Sequence, residues 1–241
     1  MKVKDDKVST TEPGRFLDNV YKSSSDTPYV KKTKGVLTRE KILKAAIAEL
    51  AYSGVKGTTH RAIATRADIQ LSLTTYYFKD IQELIHHAFM LNANNILISR
   101  EHTFEKVMYI LTAFKKSDLR KTPIKEILFL QLVDFISTYL LKTTKEETAA
   151  LAVQQLMFTE MQFNTSLRQI AIEYEASLLF PYIEICSFFN KKNPEIDANL
   201  LHTIISQLQY KVLSNDNRTD ASANITLSIE RIIGWIMKIK R

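Results

Sequence analysis

A chain of 241 residues that is 45% hydrophobic has room for one or two domains with a real core. Its formal charge of +7 asks for an acidic partner somewhere, and its single cysteine, Cys186, excludes an intramolecular disulfide. No apolar run approaches the roughly 18 residues of a membrane span, and the N-terminus lacks the apolar centre of a secretory leader, so a cytoplasmic protein is expected. Only Gly234 follows Gly57 among the five glycines, which favours an all-α chain.

The charge is unevenly spread. Residues 1–30 carry five basic and five acidic side chains, and residues 31–80 carry ten against four. Residues 81–241 carry eighteen against seventeen, so nearly all the excess sits in one stretch of fifty residues. A polyanion bound there would release counterions, whereas the larger remainder is not built for nucleic acid.

In chain order, residues 1–34 form a polar segment with Pro13, Pro28 and the run Ser23-Ser24-Ser25. A mobile segment is expected, with one turn of amphipathic helix around Phe16, Leu17, Val20 and Tyr21. Lys31, Lys32, Lys34 and Arg39 read either as a basic arm along a DNA groove or as a solubilising tail. From Thr38 a helix is predicted with Ile42, Leu43, Ala46, Ile47 and Leu50 on one face, stopped at Gly54. Thr59 caps a short second helix that buries Ile63, Ala64 and Ala67. Asp68 makes the turn, and a third helix over 71–77 closes at Phe78. Two short helices joined by a tight turn and braced by a longer one form a helix-turn-helix.

Thr59, Ile63, Ala64, Ala67, Ile69, Tyr76, Phe78 and Leu84 keep the ungapped spacing of one known pattern. In it the stretch resembles the DNA-binding domain of the TetR/AcrR family of transcriptional regulators, over about 47 of the 241 residues. Asp68 replaces the usual turn glycine, Thr74 an apolar core residue, Thr75 the first aromatic of a pair, and Ile81 a common lysine. The resemblance implies a helix-turn-helix domain over 35–82 and a helical ligand-binding and dimerisation domain over 83–241. It also implies a homodimer joined by its last two helices, and a small-molecule effector that acts by moving the fourth helix.

The third helix is expected in the major groove, presenting Gln70, Leu71, Ser72, Thr75 and Tyr76. Gln pairs bidentately with adenine, an apolar or Thr methyl group meets the thymine methyl, and Ser or Thr serves either base edge. Tyr76 and Lys79 suit phosphate, as do Thr58, Thr59, His60 and Arg61 at the start of the second helix. Tyr77 and Phe78 are packing residues in this reading. Asp80 with Glu83 is a capping box that starts the fourth helix, whose His86 and His87 are too close in sequence for a helical metal pair.

The body reads as long apolar helices. One opens at Thr122-Pro123 and runs to about Lys142, with a centre apolar on nearly every side and hence expected to be buried all round. Gln131, Asp134 and Thr138 share a line on it, which fits either a ligand cavity or hydrogen bonds to neighbouring helices. Thr144 with Glu147 looks like a second capping box, for a helix to Asn164 that carries Met157, Glu160 and Met161, a cluster readable as core or as pocket. An acidic cavity would take a cation, and the competing account pairs Asp134 with Arg168. A helix over 166–189 is kinked at Pro181. Asp197 caps the next, and a final helix carries Ile225, Ile229, Ile232, Ile233 and Ile236, with Gly234 allowing close approach across a dimer axis.

These residues point to a homodimer that binds a palindromic double-stranded DNA operator and represses transcription, and the resemblance implies that it is ligand-responsive. The alternative is a DNA-bound architectural or partner-recruiting protein of the same fold without a ligand, for which a body lacking a cavity would speak. An enzyme is not expected: the sequence offers no Gly-rich phosphate loop, metal-spaced cluster or nucleophile motif, and no cofactor is implied.

Overall fold

The computed structural model describes residues 33–214 and 218–239. The expected arm residues Lys31 and Lys32, the turn around Phe16 and residues 215–217 lie outside that range. The described residues are helical: α1 (Lys34–Gly57), α2 (His60–Ala67), α3 (Leu71–Tyr77), α4 (Ile81–Thr112), a 3-10 turn (Asp118–Arg120), α5 (Thr122–Glu146), α6 (Thr148–Glu160), α7 (Thr165–Phe189), α8 (Pro194–Leu213) and α9 (Arg218–Ile236).

Two hydrophobic cores organise these helices. The first gathers Ile42, Ala46 and Leu50 of α1 with Ile63 and Ala67 of α2, Phe78, and Leu84, Ala88 and Phe89 of α4. It continues into Val153 and Met157 of α6 and Ala171, Tyr174 and Leu178 of α7, so the helix-turn-helix shares its core with two body helices. The second holds Val107 and Leu111 of α4 against α5, α8, α9 and the end of α7. At 1.5 Å rise per residue, α4 is about 48 Å long, and like α7 it contributes to both cores.

Several ends differ from the sequence reading. Thr33 caps α1, its side chain accepting from the Val36 N–H, so the helix begins before Thr38. Gly54 does break α1, with φ 65° and ψ −176°, and Thr58 closes the end by donating to the Gly54 carbonyl at 2.7 Å. Asp80 caps α4 as expected, accepting from the Glu83 N–H at 2.8 Å, while the Glu83 carboxylate reaches back to the Lys79 N–H at 2.6 Å. Thr144 is no cap: it lies buried inside α5 and donates to the Leu140 carbonyl. Glu147 instead accepts from the Ser99 hydroxyl of α4 at 2.8 Å, tying two helices together. Asn193 occupies the cap position of α8, and Asp197 lies one turn inside, accepting from Asn190 at 2.9 Å. Among the described residues no helix is long and apolar enough to cross a membrane.

Candidate nucleic-acid interface and body cavity

The second and third helices are held by their ends. Thr59 is extended, and its hydroxyl oxygen accepts from the Ala62 N–H at 3.1 Å, starting α2. Asp68 takes the left-handed conformation, φ 48° and ψ 60°, and its N–H meets the Ala64 and Thr65 carbonyls, stopping α2. An Asp tolerates this conformation better than most side chains, which is why the missing turn glycine does not disturb the unit. Thr74 points into the core, and its hydroxyl is satisfied within its own helix by the Leu71 carbonyl at 2.8 Å. Phe78 is buried under the Arg39 guanidinium, 5.0 Å above its ring, so Arg39 braces the head rather than extending an arm.

That packing turns Gln70, Leu71, Ser72, Thr75 and Tyr76 outward together, all exposed. Gln70 sits at the cap position of α3 yet makes no capping bond with its side chain, leaving the amide free to engage a partner. Thr75 donates to the Ser72 carbonyl at 3.1 Å, and Tyr76, 79% exposed, rests its ring edge-to-face on Tyr77 at 5.1 Å. Thr59, Arg61 and Lys79 are also exposed around this face. Two expected phosphate contacts are not so placed. The Thr58 side chain is 3% exposed and committed to Gly54, and His60 is half-buried with its Nδ1 enclosed, so neither presents a free side chain. The pitch of α2 against α1 is set by Glu49, which accepts from Ser53 at 2.6 Å and from the Arg66 Nε at 2.7 Å.

In the body, the polar line on α5 faces the other way from the one expected. Gln131, Asp134 and Thr138 are exposed, as are Ile127 and Leu130 beside them, so α5 is not buried all round. An apolar helix gives no phase from which to pick its inner face, and polar residues on it mark solvent more often than a cavity. Arg168 donates to the Gln162 carbonyl, not to Asp134. Met157 is buried in the first core with Met161 packed against it, and Glu160 is half-buried at the end of α6.

The cavity lies between α4, α5 and α7, with a volume of about 310 Å³. Leu97, Arg100 and Phe104 of α4 face Tyr139 of α5 and Phe180, Pro181 and Tyr182 of α7, with Glu101 also on the lining and exposed. Pro181 removes one backbone donor from the middle of α7 at this point. None of these residues stood out in the sequence except Pro181. The available signal was Arg100, the first Lys or Arg after Lys79, at the end of a stretch from Leu84 to Ser99 without Asp, Glu, Lys or Arg.

Elsewhere in the body, α8 and α9 leave apolar residues uncovered. Ile196 and Leu200 on α8, and Leu227 and Trp235 on α9, are exposed, with a groove between Ile204, Lys211, Arg231 and Trp235. Gly234 faces inward instead: a Cβ there would stand 3.5 Å from the Phe129 ring of α5, so it serves packing within the chain. Among the described residues no group of His, Cys, Asp and Glu could hold a metal ion.

No family model and no curated protein matches the sequence. Solved structures do match in fold. A protein described as a TetR-family transcriptional regulator from Mesorhizobium loti aligns with a TM-score of 0.59 at 14% identity, over 86% of this chain and 98% of that one. The transcriptional regulator FadR from Bacillus subtilis, solved with stearoyl-CoA, aligns at 0.56 and 16% identity over 80% and 97%. A protein described as a transcriptional regulator from Saccharomonospora viridis, solved with choline, aligns at 0.59 and 17% identity over 82% and 95%. The chain therefore has the all-α fold of TetR-family transcriptional regulators, a helix-turn-helix followed by a helical body.

Proposed function

We propose that this protein is a transcriptional regulator that binds a palindromic DNA operator as a homodimer and represses until a small molecule enters its body. The observation that carries the reading is the outward face of α3, where Gln70, Leu71, Ser72, Thr75 and Tyr76 stand together beside Arg61 and Lys79. A short helix with small polar, amide and apolar side chains at its start suits base edges, and flanking cations suit phosphate. The basic excess of residues 31–80 supports the same partner.

One such helix reads too few base pairs to be selective, which favours two copies on paired half-sites. The uncovered Ile196, Leu200, Leu227 and Trp235 of α8 and α9 suit a self-complementary contact. Helix α4 carries the head at its start and lines the cavity with Leu97, Arg100 and Phe104 further along. A ligand that shifts this helix would change the spacing of the two heads, so occupancy and operator fit are coupled through one rigid element. A purely architectural protein of this fold has no use for such a cavity.

Selection of DNA from a random pool by the purified protein tests the reading. The expected product is a palindrome with half-sites separated by whole helical turns, bound with a steep inverse dependence on salt. Removal of residues 1–34 is expected to lower that slope and leave the selected sequence unchanged. A pool without an enriched sequence would refute the proposal.

A further inference from the structure

Arg100 is the group in this body that the fold leaves unexplained. Its Nη1 is fully enclosed and has no hydrogen-bond partner, and among the described residues no carboxylate lies within ion-pairing distance of it. Glu147, which acts on Tyr139 and Tyr174, accepts from the Ser99 hydroxyl. Glu101 is exposed. Around the guanidinium stand phenols and a histidine, not counter-charges: Tyr139, Tyr174, Tyr182, Tyr210 and His202. Burial works against the Arg100 charge, and it also raises the pKa of the surrounding phenols, which are therefore neutral near pH 7 and supply no counter-charge. Burial, with Arg100 adding to it, lowers the His202 pKa to about 4, so this ring is neutral near pH 7 and supplies no second positive charge.

A buried cation without a partner is expensive, and native structures keep one only where something neutralises it. The cation here opens onto a lining that, apart from the exposed Glu101 and the hydroxyls of Thr103 and Ser177, is aliphatic and aromatic. We propose that the body cavity takes an amphipathic monoanion, its carboxylate paired with Arg100 and its apolar part against Leu97, Phe104, Leu178, Phe180 and Ile185. The planar fork of an arginine fits a carboxylate with two parallel hydrogen bonds. A dianion such as a free phosphate ester would leave one charge uncompensated, and a cationic ligand would meet Arg100 directly. The cavity's apolar walls account for the rest of such a molecule, whose hydrocarbon would leave water on entry. This reverses the cationic ligand that Asp134 of α5 and Glu160 of α6 had implied, because Asp134 is exposed whereas the Arg100 Nη1 is enclosed.

The proposal rests on the reading of the body cavity as the effector site, and it is tested on the full-length protein by calorimetric titration. The probes are decanoate, decanol and decylamine, equal in chain length and different in charge. Decanoate is expected to bind at least about 30-fold more tightly than either of the others, the lower end of what a buried charge pair contributes. Arg100→Met is expected to abolish that preference, Arg100→Lys to keep part of it, and decanol binding to change little in both. Without any probe, Arg100→Met should melt no lower than the parent, since it removes an uncompensated charge. Equal binding of decanol or decylamine, no binding of decanoate, or a lower melting temperature in Arg100→Met would overturn the assignment. The comparison among probes needs no variant, so a poorly folding one does not shield the idea. The two readings fail separately: absence of a selected operator refutes the regulator whatever the cavity binds, and failure of decanoate refutes the anion whatever the operator does.

Discussion

Glu49→Gln is the perturbation that tests how the head is held. Glu49 joins α1 to α2 through Arg66 and is 7% exposed, and its carboxylate accepts two short bonds, from Ser53 at 2.6 Å and Arg66 at 2.7 Å. Hydrogen bonds to charged groups contribute about 1.5–3 kcal/mol each when covered. The Arg66 side chain is 37% exposed, so solvent screening brings the pair to the lower end. A loss of about 1.5 kcal/mol is expected at pH 7, or a melting temperature lower by about 3–6 °C for a chain of this size. The two bonds, Ser53's first, hold the carboxyl pKa below 4.5. A depressed carboxylate stabilises the fold above its unfolded pKa and ceases to do so as pH falls through the folded value. The difference between parent and Glu49→Gln in urea denaturation should therefore persist at pH 6–7 and shrink below pH 4.5. Combination with Arg66→Met closes a double-mutant cycle, in which a coupling of about 0.5–1.5 kcal/mol is expected. A coupling of zero at pH 7, or a difference that does not shrink in acid, would refute this account of the α1–α2 brace.

Five further substitutions address the interface, the dimer and the body. Gln70→Ala and Thr75→Ala should each relax preference at particular base pairs, by about 1–3 kcal/mol where a bidentate pair is lost; Tyr76→Phe should weaken all sequences alike, and a uniform loss from all three in operator-variant titrations would mean that Gln70 and Thr75 do not read bases. Trp235→Lys, at a position 55% exposed on α9, should shift the protein from dimer to monomer in light scattering while leaving its helical spectrum intact; an unchanged mass would place the interface elsewhere. His202 is held neutral, chiefly by burial, with a pKa lowered to about 4 from 6.5. Its unfolded form binds the proton first on acidification, so stability should fall by about 3 kcal/mol in all as pH drops from 6.5 through 4. His202→Phe should flatten that part of the stability profile, and an unchanged profile would mean that His202 is not the titrating group.

What the chain determined by itself was local. Thr59, Asp68, Phe78 and the Asp80–Glu83 pair each act within a few residues of their position, through a cap, a turn or a closing aromatic. The limits of α2 and α3 were therefore readable before any tertiary contact was known. The outward face of α3 was readable for the same reason, because the buried positions Thr74 and Phe78 set the phase of a seven-residue helix. Position in the fold decided the rest. Thr58 looked like a free hydroxyl until the break at Gly54 brought a carbonyl to within 2.7 Å of it. Helix α5 is apolar on so many sides that its sequence holds no phase, and only the packing of α4, α8 and α9 against it shows that Gln131, Asp134 and Thr138 face out. Arg100 has no local feature to announce it; it becomes a site only where α4, α5 and α7 enclose it, because the cost of burying a charge depends on what surrounds it in space and not on its neighbours in the chain.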